Sequence, residues 1–282
     1  MSNQFLEAAI ETAIEAGGIL LSEVGRPARV SRKGELDLVT QADRQSEQAI
    51  VNRLRRCFPK HAILSEEGEG QEIDSRYCWI IDPLDGTTNF VHGYPCFAVS
   101  IALEEAGELL VAVVYQPITR ELFTCSRGEG AYLNKTRIRV SGVAHLSASL
   151  VATGFPSLKR TPNPNIDYYW NFALRSQGMR RDGSAALDLA SVACGRFDGF
   201  WEFGLHPWDT AAGVLLVREA GGVVTNFAGQ PYRPGDYKIL ASNGHIHTEM
   251  REAVASVHEQ TAKTSGPPLQ QLHSCCYPHW FQ

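Results

Sequence analysis

The sequence predicts a layered α/β sandwich with mixed sheets, and three observations lead there. Apolar runs of strand length come as hairpin pairs in one part of the chain and alternate with helical segments in another. A helix of small residues at "GSAALDLASVACGR" suits close packing, and "PWDTAAGVLLVREAGG" opens with Pro and closes with a Gly pair, the asymmetry of a packed helix. Helical periodicity frames the strands, over 3 to 24 and again over 245 to 259.

Each element has its reason. Residues 3 to 24 place Phe5, Leu6, Ala9, Ile10, Ala13, Ile14, Leu20 and Leu21 near a helical repeat. A second helix is expected over 41 to 58, with Ile50, Leu54 and Phe58 on one face and Thr40-Gln41-Ala42-Asp43 as its capping box. "HAILSEE" and "YCWIID" read as short buried strands. "FAVSIALEEAGELLVAVVYQP" reads as two strands turning at Glu105-Ala106-Gly107, and "ELFTCSRGEGAYLN" as another hairpin. The Gly-x-Gly in that hairpin lacks a dinucleotide-binding context. "SLVATGF" is expected as a strand, 165 to 177 as a helix, "FDGFWEFGL", "GVVTN" and "KILASN" as strands.

Length and composition narrow the function. The 282 residues suit one large domain or two tightly joined halves, with 44% hydrophobic and 20% charged residues. A net charge of −5 leaves no footprint for nucleic acid, so direct nucleic-acid binding is not expected. No apolar run reaches ~18 residues and no signal peptide is recognisable, so no membrane association is expected. Of the seven cysteines, the first five are scattered singly, which is no disulfide framework and fits a reducing, cytoplasmic location. The stretch from 264 to 282 is unlike the rest, with Pro-Pro, vicinal Cys275-Cys276 and no period, and is expected as a loose tail. Its His273, Cys275, Cys276 and His279 fit no zinc spacing.

The chemistry concentrates in "WIIDPLDGTTNF". Pro83 disfavours a continuing ladder and Gly86 permits a tight turn, so Asp82 and Asp85 can converge just past a strand end, where α/β sheets bind ligands. Glu66-Glu67 close another strand, and Asp209 opens a helix. Plainer readings exist: Asp82 and Asp85 as turn caps, Glu66 as a solvated strand end, Asp209 as a first-turn acid facing the helix dipole. Gathered at one site, these carboxylates would repel strongly unless cations neutralised them, and oxygen ligands without Cys or His are what Mg²⁺ prefers.

"WIIDPLDGTTNFVHG", "LSEEGEG", "WDTAAGVLLVREAGGVVTN" and the earlier "DLVTQADRQSE" resemble the inositol monophosphatase family, lithium-sensitive, Mg²⁺-dependent phosphatases related to fructose-1,6-bisphosphatase. "RRDGSAALDLA" and "FDGFWEFGLHPWD" look most like its bacterial members. The resemblance implies an αβαβα sandwich, with a single catalytic domain over 1 to 262, two α/β halves meeting near 145 to 150, and the tail at 263 to 282. It implies about two to three Mg²⁺ ions, Asp82 bridging two of them as in-line displacement requires. Glu66, Asp82 and the Leu84 carbonyl would hold the first, and Asp82, Asp85 and Asp209 the second. A weaker ion would sit by Glu66, with Glu67 and Asp43 as outer contacts.

By the same resemblance Glu66 and the Thr87 hydroxyl orient and deprotonate a water, with no covalent intermediate. The amides of Gly86 and Thr87 bind phosphate at a helix start, and Thr88 belongs with these substrate contacts. Asp85 and Asp209 face the substrate as well. Gly183-Ser184-Ala185 offer free helix-start amides to the substrate, and Glu202 matches an acid that binds polyol hydroxyls. Arg180 and Arg181 could pair with phosphate, but a dimer interface or a surface ion pair is the favoured role, and Asp198 suits a structural role. The expected activity is hydrolysis of inositol 1-phosphate, with inhibition by lithium, in a homodimer. The same chemistry on histidinol phosphate, 3′-phosphoadenosine 5′-phosphate or fructose bisphosphate stays open, as does a regulatory binding protein contacting the transcription machinery.

Overall fold

A computed structural model of the chain describes residues 2–25, 30–32, 38–68, 70, 73–155 and 163–264. The first part holds α1 (Ser2–Glu23), β1 (Val30–Arg32), β2 (Leu38–Thr40), α2 (Gln41–Cys57), β3 (Ala62–Ser65), β4 (Tyr77–Asp85) and α3 (Thr87–Val91). A meander follows: β5 (Ala98–Glu105), β6 (Glu108–Gln116), β7 (Glu121–Ser126), β8 (Gly130–Leu133) and β9 (Thr136–Ile138). Then come β10 (Leu150–Thr153), α4 (Asn165–Ala173), β11 (Gly178–Arg180), α5 (Ala185–Ala193), β12 (Gly199–Phe203), α6 (Pro207–Glu219), β13 (Val223–Thr225), β14 (Lys238–Ser242) and α7 (His247–Thr264).

Strands β3 to β9 form a seven-stranded sheet in sequence order, and the second sheet has the order β11-β10-β12-β14-β13. Period-two alternation sorts the central strands onto two faces. Trp79, Ile81, Val99, Ile101, Leu103, Val111 and Val113 pack with Ala9, Ala13, Leu20, Ile50 and Leu54 of α1 and α2. Ile80, Ala98, Ala102, Ala112 and Val114 point the other way, onto α5 and α6, whose far sides meet Phe200 and Ala241 of the second sheet. Trp201, Phe203 and Leu240 close a third core with Tyr168, Phe172, Met250 and Val254 of α4 and α7. The layers are therefore αβαβα, and α5 and α6 lie between the sheets.

The alanines are the reason the middle layer fits. Ala186, Ala190 and Ala193 of α5 and Ala211 and Ala212 of α6 are fully buried, so helix backbones approach closely. The β5–β6 hairpin turns where expected, with both Ala106 (φ 51) and Gly107 (φ 88) left-handed, as a twist-matched two-residue turn requires. The expected helix over 165 to 177 ends at Ala173 instead. The Ser176 hydroxyl donates to the Phe172 carbonyl at 2.8 Å, and the Gln177 amide turns to Ser149 at 3.0 Å, leading the chain into β11. That short strand, β9 and the β1–β2 pair were not expected from sequence; α7 runs to Thr264, and the 265 to 282 stretch with its His and Cys residues lies outside the described residues. No helix among the described residues is long and apolar enough to cross a membrane.

Candidate active site

The two aspartates converge inside β4, not past its end. Asp82 pairs with Ser100 and Asp85 with Ala98, so three steps along β4 match two along β5. In a regular strand residues three apart face opposite sides; the bulge adds the residue that puts both carboxylates on one side. Pro83 is tolerated there because a bulge needs no ladder donor. Gly86 then turns at φ 93, and a Cβ on it would come within 2.8 Å of the Cys96 carbonyl oxygen. Only glycine makes this exit into α3.

Each aspartate near the bulge is held by an amide. The Leu84 amide donates to Asp82 Oδ1 at 2.9 Å. Asp85 Oδ2 accepts from the Ser184 hydroxyl at 2.5 Å and the Ala186 amide at 2.8 Å, both at the start of α5. The His206 amide donates to Asp209 Oδ2 at 2.7 Å, so Asp209 does cap α6 as its plainer reading held, while it also lines the cavity described below. The Thr40 hydroxyl caps α2, and Asp43 Oδ2 accepts from the Thr40 amide at 2.8 Å, the expected capping box. The other oxygen of Asp43 lies 3.2 Å from Thr87 Oγ1, which is also 3.1 Å from the Leu84 carbonyl.

A cavity of about 160 Å³ opens beside Asp85 and Asp209 and runs to Glu202 and Asp188, with Arg181, Gly183, Ser184 and Ala185 along it. Glu202 comes from β12, where its carboxylate lies over Gly154; a Cβ at 154 would run into it. The amides at the start of α5 are largely spent on Asp85 rather than left free, because Asp85 reaches across from the other sheet.

Burial and mutual repulsion raise the acids together. Burial pushes Asp82 well above the usual carboxylate range, reinforced by Glu66, Asp85 and Asp209. Asp209 is pushed well up by burial, then by Asp85 and Glu66. Asp85 rises to about 6 by burial, against the Ser184 and Ala186 bonds that hold its charged form. Glu202 rises to about 8, by burial and then Asp209, with Arg181 opposing. Among the described residues no three His, Cys, Asp or Glu side chains close tightly enough around one point to cage an ion alone. The donor chemistry nonetheless fits Mg²⁺, which takes few carboxylates, a carbonyl such as Leu84's, and water. Buried carboxylates that repel one another are what a divalent cation would relieve.

The structure thus gathers Asp85, Gly183, Ser184, Ala185, Glu202 and Asp209 around one cavity. Asp82 and Glu66 join through their charges, with Leu84, Gly86 and Thr87 next to Asp85 in the chain. Thr88 is exposed on α3. Asp198 is structural, as expected: it accepts from Ser141 Oγ at 2.5 Å and the Leu150 amide at 2.7 Å. Arg181 is exposed and also lines the cavity. Asp188 was overlooked, and its charge inside an otherwise apolar helix was the available signal. The direct bond between Asp43 and Thr87 had none, since 44 residues separate them.

Residues 1–261 match the model of the inositol monophosphatase family. The chain is 46% identical to a Synechocystis protein named inositol-1-monophosphatase, over 95% of this chain and 94% of that one. It is 49% identical to the Pseudomonas aeruginosa Nus factor SuhB, over 79% and 86%. The solved structure of inositol monophosphatase from Anabaena (Nostoc) superposes with a TM-score of 0.83 at 44% identity, covering 92% of this chain and 98% of that one.

Proposed function

The chain belongs to the inositol monophosphatase family, and from that premise we propose that it hydrolyses phosphate monoesters with Mg²⁺, inositol 1-phosphate foremost. The observation that carries this reading is the buried approach of Asp82 and Asp85, brought together by the bulge, to Asp209, with Glu66 beside them. Glu66, Asp82 and the Leu84 carbonyl would hold one ion, and Asp82, Asp85 and Asp209 a second. Bound Mg²⁺ supplies the positive charge that acidifies water and offsets the phosphoryl group and the leaving alkoxide.

The chain's own groups do the rest. Thr87 Oγ1 has one proton and two acceptors in reach, Asp43 and Leu84, so its remaining lone pair accepts from a water and fixes that water's direction. Glu66 takes a proton as the water oxygen bonds to phosphorus and the ester P–O bond breaks. The amides of Gly86 and Thr87 bind the phosphate oxygens, and the alkoxide leaves with a proton from solvent. Glu202 accepts hydroxyls of the leaving group.

A phosphate-release screen over inositol 1-phosphate, histidinol phosphate, 3′-phosphoadenosine 5′-phosphate and fructose bisphosphate tests this. Inositol 1-phosphate should be fastest, activity should vanish on chelation and return with Mg²⁺, and Li⁺ should inhibit. Undiminished turnover after metal stripping sinks the reading. The expected homodimer has a surface available: Ile166, Trp170 and Leu174 form an apolar stripe along α4, 59%, 67% and 70% exposed. Light scattering should give a dimer, and Trp170→Glu a monomer. Relatives named Nus factor SuhB favour a second, regulatory role alongside catalysis; co-elution with transcription machinery would test it.

A further inference from the structure

Asp188 is the acid that the proposed chemistry leaves idle. It is 2% exposed in the first turn of α5, lines the cavity, and its Oδ1 is buried without a hydrogen-bond partner. The ordinary role of a first-turn acid is to cap the helix amides. Here that work is done by others: Ala186 donates to Asp85 at 2.8 Å, and Leu187 to the Ser184 hydroxyl at 3.4 Å. A buried carboxylate oxygen with no donor is costly to keep, so a donor that arrives with a ligand gives it a purpose.

The surroundings say what kind of donor. Asp188 and Glu202 both line the cavity and Glu202 is the like charge that acts most on Asp188, so acids from α5 and β12 share one wall of the cavity, beyond the Asp85–Asp209 end. Each acid offers an acceptor oxygen whether or not it holds a proton, and Arg181 on the same cavity already supplies a cation. The wall therefore suits neutral donors set side by side. We propose that Asp188 is a specificity-determining residue: it accepts a hydrogen bond from a leaving-group hydroxyl next to the one taken by Glu202, so the site selects polyol phosphates carrying neighbouring hydroxyls. This rests on the phosphatase reading above.

The test compares inositol 1-phosphate with cyclohexyl phosphate, a ring of similar shape without hydroxyls, both with Mg²⁺. The wild type should favour inositol 1-phosphate in kcat/KM by roughly a hundredfold or more. Asp188→Asn should cut kcat/KM for inositol 1-phosphate at least tenfold, change cyclohexyl phosphate less than about twofold, and leave the melting temperature equal or higher. Should that variant not fold, Asp188→Ser carries the same comparison, and the wild type with single-deoxy inositol phosphates gives it without any substitution: one deoxy position should lose as much as the variant does. Equal losses on both esters, an unchanged ratio, or no deoxy analogue that suffers would overturn the role of Asp188 while leaving the phosphatase standing. Release from neither ester by the wild type would overturn both.

Discussion

At the β4 end of the cavity each aspartate has a backbone amide of its own: Leu84 for Asp82, Ala186 for Asp85, His206 for Asp209. At the β12 end the acids are placed by packing. Glu202 rests on Gly154, and one oxygen of Asp188 bonds to nothing. The first arrangement fixes direction before any ligand arrives, which is what chemistry needs. The second keeps hydrogen-bonding capacity unspent, which is what discrimination needs. On the proposed function, rate and selectivity would belong to opposite ends of one cavity, and substitutions should separate them.

The largest effect is expected at the amide-held end. Asp82→Asn keeps an oxygen for the Leu84 amide but removes a charge that Glu66, Asp85 and Asp209 oppose. Turnover should fall roughly a hundred- to a thousandfold on every substrate, while the metal-free protein melts at the same temperature or higher, because a buried repulsion is relieved. A selective loss, or a lower melting temperature with normal turnover, would erase the distinction between the two ends.

Glu202→Gln should act the other way. Inositol 1-phosphate should lose about one to three orders of magnitude in kcat/KM, and a small aryl phosphate almost nothing. Uniform losses would move Glu202 to the chemical end. Gly154→Ala is a gentler version: its methyl displaces the Glu202 carboxylate without changing its charge. Selectivity for the polyol should drop about tenfold and stability by about 1–3 kcal/mol, read from paired kinetics and denaturant titration. Unaltered selectivity would show that the carboxylate's seat does not matter.

The smallest effect sets the acid baseline against which pH profiles of either end must be read. His247 lies away from the cavity, its nitrogens 2.9 Å from Ser242 Oγ and 3.0 Å from Thr225 Oγ1. Burial, then Arg251, lowers its pKa to about 4. Below its ordinary value near 6.5 the unfolded chain binds the proton more readily, so its contribution is whole above about pH 6.5 and fades towards pH 4. With allowance for solvent screening, about 2 kcal/mol should be lost across that window. His247→Gln should flatten that part of a stability-versus-pH curve, and an unchanged curve would place the acid sensitivity elsewhere.

Legibility in the sequence follows the same division. Strand runs, hairpin turns and the capping box are local patterns, and so were Asp82 and Asp85, punctuated by Pro83 and Gly86. The bulge was not readable, because it exists only as a register against Ser100 and Ala98. The bond between Asp43 and Thr87 and the clasp of Ser184 on Asp85 join residues 44 and 99 positions apart, which no window of sequence compares. Asp188 sits in "AALDLA", where a lone charge among small apolar neighbours was a signal, but the cavity it lines is formed by residues far apart in the chain. The β11 strand is three residues long and exists because β10 offers an edge beside it.

Asp43 serves two structures at once. One oxygen closes the first turn of α2, and the other meets the hydroxyl of Thr87. Fraying of that single turn would release Thr87 while both sheets stay folded, since terminal turns open at far lower free energy than cores. In mild denaturant, activity would then decay ahead of the circular-dichroism transition, and amide exchange at Ala42 and Asp43 would track it. The enzyme's first failure under stress would be the loosening of one helical turn, long before melting.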